Sequence, residues 1–191
     1  METLLVSTGL VAVAEIGDKT QLLAIVLATR FRRPIPIILG ILVATLANHA
    51  LAATAGFFLA QFLSGAWFRY AIALGFIAMA VWALVPDKMD DEEGVKARDG
   101  ASVFLTTVVA FFLVEIGDKT QVATAALAAR FHSIALVAAG TTLGMMLANA
   151  PAVYLGEAAT RVIPLRVIRI AAAVVFLLLG LWALAEAAGL F

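Results

Sequence analysis

The heptapeptide Glu-Ile-Gly-Asp-Lys-Thr-Gln occurs twice, at Glu15 to Gln21 and at Glu115 to Gln121, each time inside a long apolar run. A carboxylate at the centre of a bilayer costs ~2.5 to 3.5 kcal/mol even on insertion-based scales, so ionisable side chains placed there mark a pathway or a binding site. On a continuous helix residues i and i+3 share a face. Glu15 with Asp18, and Glu115 with Asp118, are therefore expected to present paired carboxylates, with the hydroxyl and amide oxygens of Thr20, Gln21, Thr120 and Gln121 beside them. An all-oxygen set of this kind suits hard cations such as Ca²⁺, Mg²⁺ or Mn²⁺. Four carboxylates against Lys19 and Lys119 sum to minus two, which one divalent ion neutralises. Departure of the ion favours proton uptake, a chemical basis for exchanging cation against protons with Glu15 and Glu115 as the carriers.

Other polar residues in apolar surroundings are fewer. Asn48 and Asn149 form a second repeated pair, suited to completing a coordination shell or to bonding between helices. Met145 and Met146 precede Asn149 where the first half has Ala44 and Thr45; a thioether there would favour Mn²⁺ over Ca²⁺ by its softness, or simply fill space. His49 has no counterpart and reads as a packing residue or a proton relay, and His132 lies at a helix end. Gly17 and Gly117 either break the helix and expose carbonyl ligands or permit close helix packing. The competing structural reading of the whole motif is a pair of buried Asp–Lys ion pairs; against it, buried pairs are poor stabilisers.

These residues need elements that carry them to mid-membrane. Apolar residues make up 64% of the chain, well above the ~45 to 50% of soluble domains, so an all-α integral membrane protein is expected. Breaks at charged, Pro or Gly-rich positions leave spans at about Thr3–Thr29, Ile35–Leu63, Trp67–Val85, Ala101–Ala129, Ile134–Thr160 and Pro164–Ala188, which read as six transmembrane helices. At ~1.5 Å per residue Glu15 sits about 18 Å into its span and Glu115 about 21 Å, both near the midplane. Cysteine is absent, which removes thiolate metal sites and thiol catalysis. No Ser/His or paired-His arrangement supports an enzyme.

The two halves match at a spacing of 100 residues: Arg30-Phe31 with Arg130-Phe131, Arg69 with Arg169, Phe76 with Phe176, and Trp82-Ala83-Leu84 with Trp182-Ala183-Leu184. Leu46-Ala47-Asn48 matches Leu147-Ala148-Asn149 at a spacing of 101. Residues 1–86 thus read as one three-helix repeat and 101–191 as a second. An odd number of helices inverts the second repeat in the membrane, an architecture suited to alternating access. The segment 87–100, with Asp90-Asp91-Glu92-Glu93, reads as a solvated cytoplasmic linker without EF-hand spacing. Arg30, Arg32, Arg33, Lys88, Lys96, Arg98, Arg161, Arg166 and Arg169 fall on one side and only Arg69 and Arg130 on the other, which predicts non-cytoplasmic termini. The start Met-Glu-Thr-Leu-Leu lacks the basic region of a signal peptide, so the first span reads as a retained helix.

Twin Glu-x-Gly-Asp-Lys-[Ser/Thr] motifs in a duplicated six-helix chain resemble the Golgi-type Mn²⁺/Ca²⁺:proton antiporter family, which includes bacterial manganese exporters. The resemblance covers essentially the whole chain, with both motifs intact. It implies a cation site at Glu15, Asp18, Glu115 and Asp118, no cofactor, and partners limited to a divalent ion, protons and the lipid bilayer, with no nucleic acid. Lacking the targeting extensions of eukaryotic and chloroplast members, the chain looks like a bacterial form of the plasma (inner) membrane. The expected activity is export of Mn²⁺, or alternatively Ca²⁺, in exchange for protons. Three-helix inverted repeats are also similar to lysine-exporter-like proteins, which makes an amino-acid or small-metabolite exporter the rival reading.

Overall fold

Neither motif lies within a helix. In the computed structural model, which describes residues 1–63, 65–85, 102–155 and 165–190, α1 (Glu2–Glu15) stops at the first motif's glutamate and α2 (Lys19–Phe31) starts just after its aspartate. Between them Ile16 is extended at φ −65° and ψ 120°, Gly17 has φ 79°, and the Asp18 N–H donates to the Glu15 carbonyl at 3.0 Å. That is a type II turn, which needs a residue tolerant of positive φ at its third position. The second motif repeats it between α5 (Val103–Glu115) and α6 (Lys119–Phe131): Ile116 at −62° and 120°, Gly117 at φ 76°, and Asp118 N–H to Glu115 carbonyl at 3.1 Å.

This corrects the expectation of unbroken helices through both motifs, and it decides between the two readings of the glycines. A Cβ placed on Gly117 would meet nothing within 4 Å, so close packing is not what requires glycine there; the positive φ is. Each turn is braced from within the motif, because the Gly17 N–H donates to Gln21 Oε1 and the Gly117 N–H to Gln121 Oε1, both at 2.8 Å.

The other helices are long: α3 (Pro34–Phe62), α4 (Ala66–Ala83), α7 (Ile134–Leu155) and α8 (Leu165–Ala187). By length and composition α3, α4, α7 and residues Arg166–Ala187 of α8 can each cross a membrane. The half-length α1, α2, α5 and α6 cannot do so singly. Large apolar side chains such as Ile35, Phe62, Leu113 and Leu178 stay exposed on the outer faces, a surface suited to hydrocarbon rather than water. The protein is a helical membrane protein.

Packing exchanges helices between the halves. α1 and α2 pack on α7, α5 and α6 pack on α3, α3 meets α7, and α4 lies along α8. Small residues permit the close approaches. A Cβ on Gly40 would come within 2.7 Å of Thr107 Cβ, and one on Gly140 within 2.8 Å of Ser7 Cβ, so the α3–α5 contact has its counterpart in the α7–α1 contact. One core cluster gathers Leu10, Phe76, Leu127, Val137 and Phe176; another gathers Leu23, Leu27, Ile37, Ile41 and Phe111. The acidic segment 87–100 lies outside the described residues.

Candidate cation site

Ending α1 at Glu15 and starting α2 after Asp18, its N-cap position, turns both carboxylates to the same interior space, and the second turn meets the first there. Ligand oxygens of Glu15, Asp18 and Asp118 lie within 4.8 Å of one another, and all three residues are buried. The α6 N-terminus is capped by Asp118, whose Oδ2 accepts from the Thr120 amide at 3.4 Å and from Thr120 Oγ1 at 3.0 Å. Lys19 reaches across from the first turn, its Nζ 3.6 Å from Asp118 Oδ1. The ion pair of the competing reading is therefore made between the two motifs, at the edge of the carboxylate group.

Glu115 stands apart from the three. Its Oε1 accepts from Thr45 Oγ1 at 2.6 Å and its Oε2 from Asn48 Nδ2 at 3.0 Å, both on α3. Glu15 is fully enclosed, and among the described residues neither of its oxygens has a donor in hydrogen-bonding geometry. Asn149 lies alongside it but gives its Nδ2 to Met145, to the carbonyl at 3.2 Å and to Sδ at 2.9 Å, leaving Asn149 Oδ1 buried without a donor. The charges around the two glutamates differ as well. Glu15 has two carboxylates, Asp18 and Asp118, within 4.8 Å of its ligand oxygen, whereas Glu115 is not part of that group.

The remaining expected residues divide by role. Thr20 is buried with no partner for its Oγ1, so its oxygen joins those of Glu15 and Asn149 as a buried acceptor without a donor. Gln21 and Gln121 place their oxygens on the glycine amides of their own turns. Their Nε2 groups donate to Ala148 carbonyl at 3.0 Å and to Asn48 Oδ1 at 3.4 Å, so their visible work is to tie each turn to a long helix. Lys119 Nζ donates to the Val85 carbonyl at 3.1 Å beyond the end of α4. Asn48 also donates to the Phe112 carbonyl at 3.0 Å, bridging α3 to α5. His49 is fully buried, with neither ring nitrogen partnered among the described residues, and His132 ends α6 in the left-handed region at φ 50°.

Thr45 was not anticipated. The repeat hides it, because its counterpart is Met146, and the available signal was its place three residues before Asn48 on one helical face. An ion pair from Arg130 to Glu186, with the Arg130 guanidinium over the Trp182 ring, was missed for the same reason: the position matching Glu186 is Pro86. It borders a cavity of about 370 Å³ that also reaches Arg69 and His132. A much smaller cavity of about 20 Å³ touches Asp18, Lys119 and Arg169.

Buried carboxylates contributed by two broken helices, with unsatisfied oxygens around them, have the chemistry that a multiply charged cation needs. The comparisons agree in kind. A Vibrio cholerae serotype O1 protein named "Putative manganese exporter" is 48% identical over 182 residues, covering 95% of this chain and 90% of that protein. The Arabidopsis thaliana GDT1-like protein 5 is 25% identical over 214 residues, covering 93% of each. No solved structure matches. Residues 3–91 and 103–190 match the family described as divalent cation/proton antiporter GDT1, one match for each half. With both halves matched and a relative at this identity, the chain belongs to the divalent cation/proton antiporter GDT1 family.

Proposed function

We propose that this protein exports divalent cations from the cytoplasm in exchange for protons, with Mn²⁺ the first substrate and Ca²⁺ the second. The observation that carries this reading is the convergence of Glu15, Asp18 and Asp118 from two separate helix breaks into one buried group. Oxygen ligands suit both ions; the order follows the printed name of the Vibrio relative.

The exchange follows from the donors. A buried carboxylate group holds either the cation or protons on the same oxygens, and bare charge there is costly in either absence. Glu15, with no donor of its own, is the carboxylate most dependent on one of the two. Cation arriving from one side displaces protons, and protons arriving from the other displace cation. Asp118, held by Lys19 and Thr120, keeps its place throughout.

We further assign each broken pair, α1 with α2 and α5 with α6, to one crossing of the membrane. Six crossings then form two inverted three-helix repeats, 1–86 and 101–191, joined by a cytoplasmic linker at 87–100 with both termini outside. The reciprocal packing of α1 and α2 on α7, and of α5 and α6 on α3, supports this arrangement. Rocking of one half against the other would open the site alternately to each side. The bacterial relative supports placement in the inner membrane.

The test is pH-gradient-driven Mn²⁺ and Ca²⁺ flux in proteoliposomes, comparing wild type with Glu15→Gln. Flux that needs the gradient and is lost in the variant is the expected result; active, correctly inserted protein with no metal flux sinks the reading.

A further inference from the structure

We infer that the two motif glutamates are not interchangeable: Glu15 takes the cation with Asp18 and Asp118, while Thr45 is a positioning residue that holds Glu115 out of that shell. The inference rests on the cation-site reading above and gives the two halves of that site different work. Its basis is geometric. Both oxygens of Glu115 are occupied by α3, one by Thr45 Oγ1 at 2.6 Å and one by Asn48 Nδ2 at 3.0 Å. A short bond from a hydroxyl to a carboxylate is among the stronger hydrogen bonds in proteins. A carboxylate oxygen keeps a second lone pair, so what the bond fixes is where Glu115 stands: a cation in the Glu15, Asp18 and Asp118 group reaches it only if Glu115 swings away from Thr45.

The equivalent clamp on Glu15 is missing for two reasons that can be read at the residues. The position matching Thr45 is Met146, which has no donor. The position matching Ala44 is Met145, whose carbonyl and buried sulfur accept from Asn149 Nδ2 at 3.2 and 2.9 Å, so that amide lies beside Glu15 with its nitrogen shared with Met145. Asn48 and Asn149 are therefore turned oppositely. Asn48 points its nitrogen at Glu115 and gives its oxygen to Gln121; Asn149 points its nitrogen at Met145 and leaves its oxygen without a donor. Met145 thus acts through Asn149, as Thr45 acts directly: one keeps Glu15 available and the other keeps Glu115 engaged.

Two substitutions should shift Mn²⁺ binding in opposite directions. Thr45→Val keeps the shape and removes the donor, releasing Glu115 to swing toward the ion. Met145→Leu keeps the volume and removes the sulfur, so the Asn149 amide keeps its bond to the residue 145 carbonyl and has one N–H released to turn onto Glu15. With purified full-length protein, Mn²⁺ titration is expected to show tighter binding in Thr45→Val and weaker binding in Met145→Leu, each by about tenfold, the scale of one hydrogen bond to a charged group. In proteoliposomes Thr45→Val should pair its lower KM with slower turnover, because a cation held by a fourth carboxylate leaves less readily. Thr45→Ser, which retains the hydroxyl, should restore the wild-type values.

A purely structural role for these residues would weaken binding in both variants alike. That outcome, or unchanged affinity in both while wild type binds and transports Mn²⁺, overturns the inference alone. Wild type that neither binds nor transports Mn²⁺ overturns the reading beneath it as well.

Discussion

The two motif turns are built alike and surrounded differently. Seven identical residues give the same type II turn, the same aspartate at a helix N-terminus and the same glutamine brace at 2.8 Å. The glutamates ending α1 and α5 nevertheless meet unlike neighbours, a threonine and an asparagine donating to Glu115 and a methionine-held asparagine beside Glu15. The threonines differ too: Thr120 bonds to Asp118, and Thr20 Oγ1 has no hydrogen-bond partner among the described residues. Local sequence made equal turns, and the facing helices made unequal sites.

The sharpest break of the comparison is charge removal at each glutamate. Glu15→Gln is expected to cut Mn²⁺ flux in proteoliposomes by about 100-fold, as removal of one member of a buried charge group does. Glu115→Gln should cost about tenfold, because it disturbs hydrogen bonds rather than the cation's own ligand. Equal losses would return the two halves to equivalence.

The glycines should respond alike where the glutamates do not. Gly17→Ala and Gly117→Ala each force a Cβ into the left-handed region, at a cost of about 1 to 2 kcal/mol. Thermal unfolding in mild detergent should show similar losses for both. A loss at only one would mean that the turns, too, differ in strain.

A smaller contrast lies in the hydroxyls. Thr120→Val removes a donor to a buried carboxylate and should destabilise by about 1 kcal/mol. Thr20→Val removes a hydroxyl that has no partner, and should leave stability level or raised while weakening Mn²⁺ binding. Smallest of all, Glu186→Gln removes the half-exposed ion pair to Arg130, and should lower stability by no more than about 1 kcal/mol. Denaturant titration of the pair of threonine variants and of this one would rank them.

Membrane class and family were legible because both depend on composition and on local identity: apolar runs of span length, and a polar heptapeptide repeated where polar residues are costly. The break within each motif was only half legible. Gly17 could equally have served close packing, and φ 79° at that residue, with φ 76° and open space at Gly117, is what separates the two. The error of placing Glu15 and Asp18 on one helical face came from extending helix periodicity through a Gly-Asp pair that is also a turn followed by an N-cap. Thr45 escaped because repeat matching selects what the halves share, and Thr45 matters through what they do not.

By itself, then, the sequence determined the material: an apolar helical chain, duplicated, with ionisable groups at matching places, since hydropathy and repetition are properties of residues in order. Which oxygens meet depends on how the helices pack. Glu15, Asp18 and Asp118 come together across 100 residues, and Glu115 is drawn aside by α3, because hydrogen-bond partners are chosen by distance and direction in space. Identical motifs can therefore share a turn without sharing a neighbourhood.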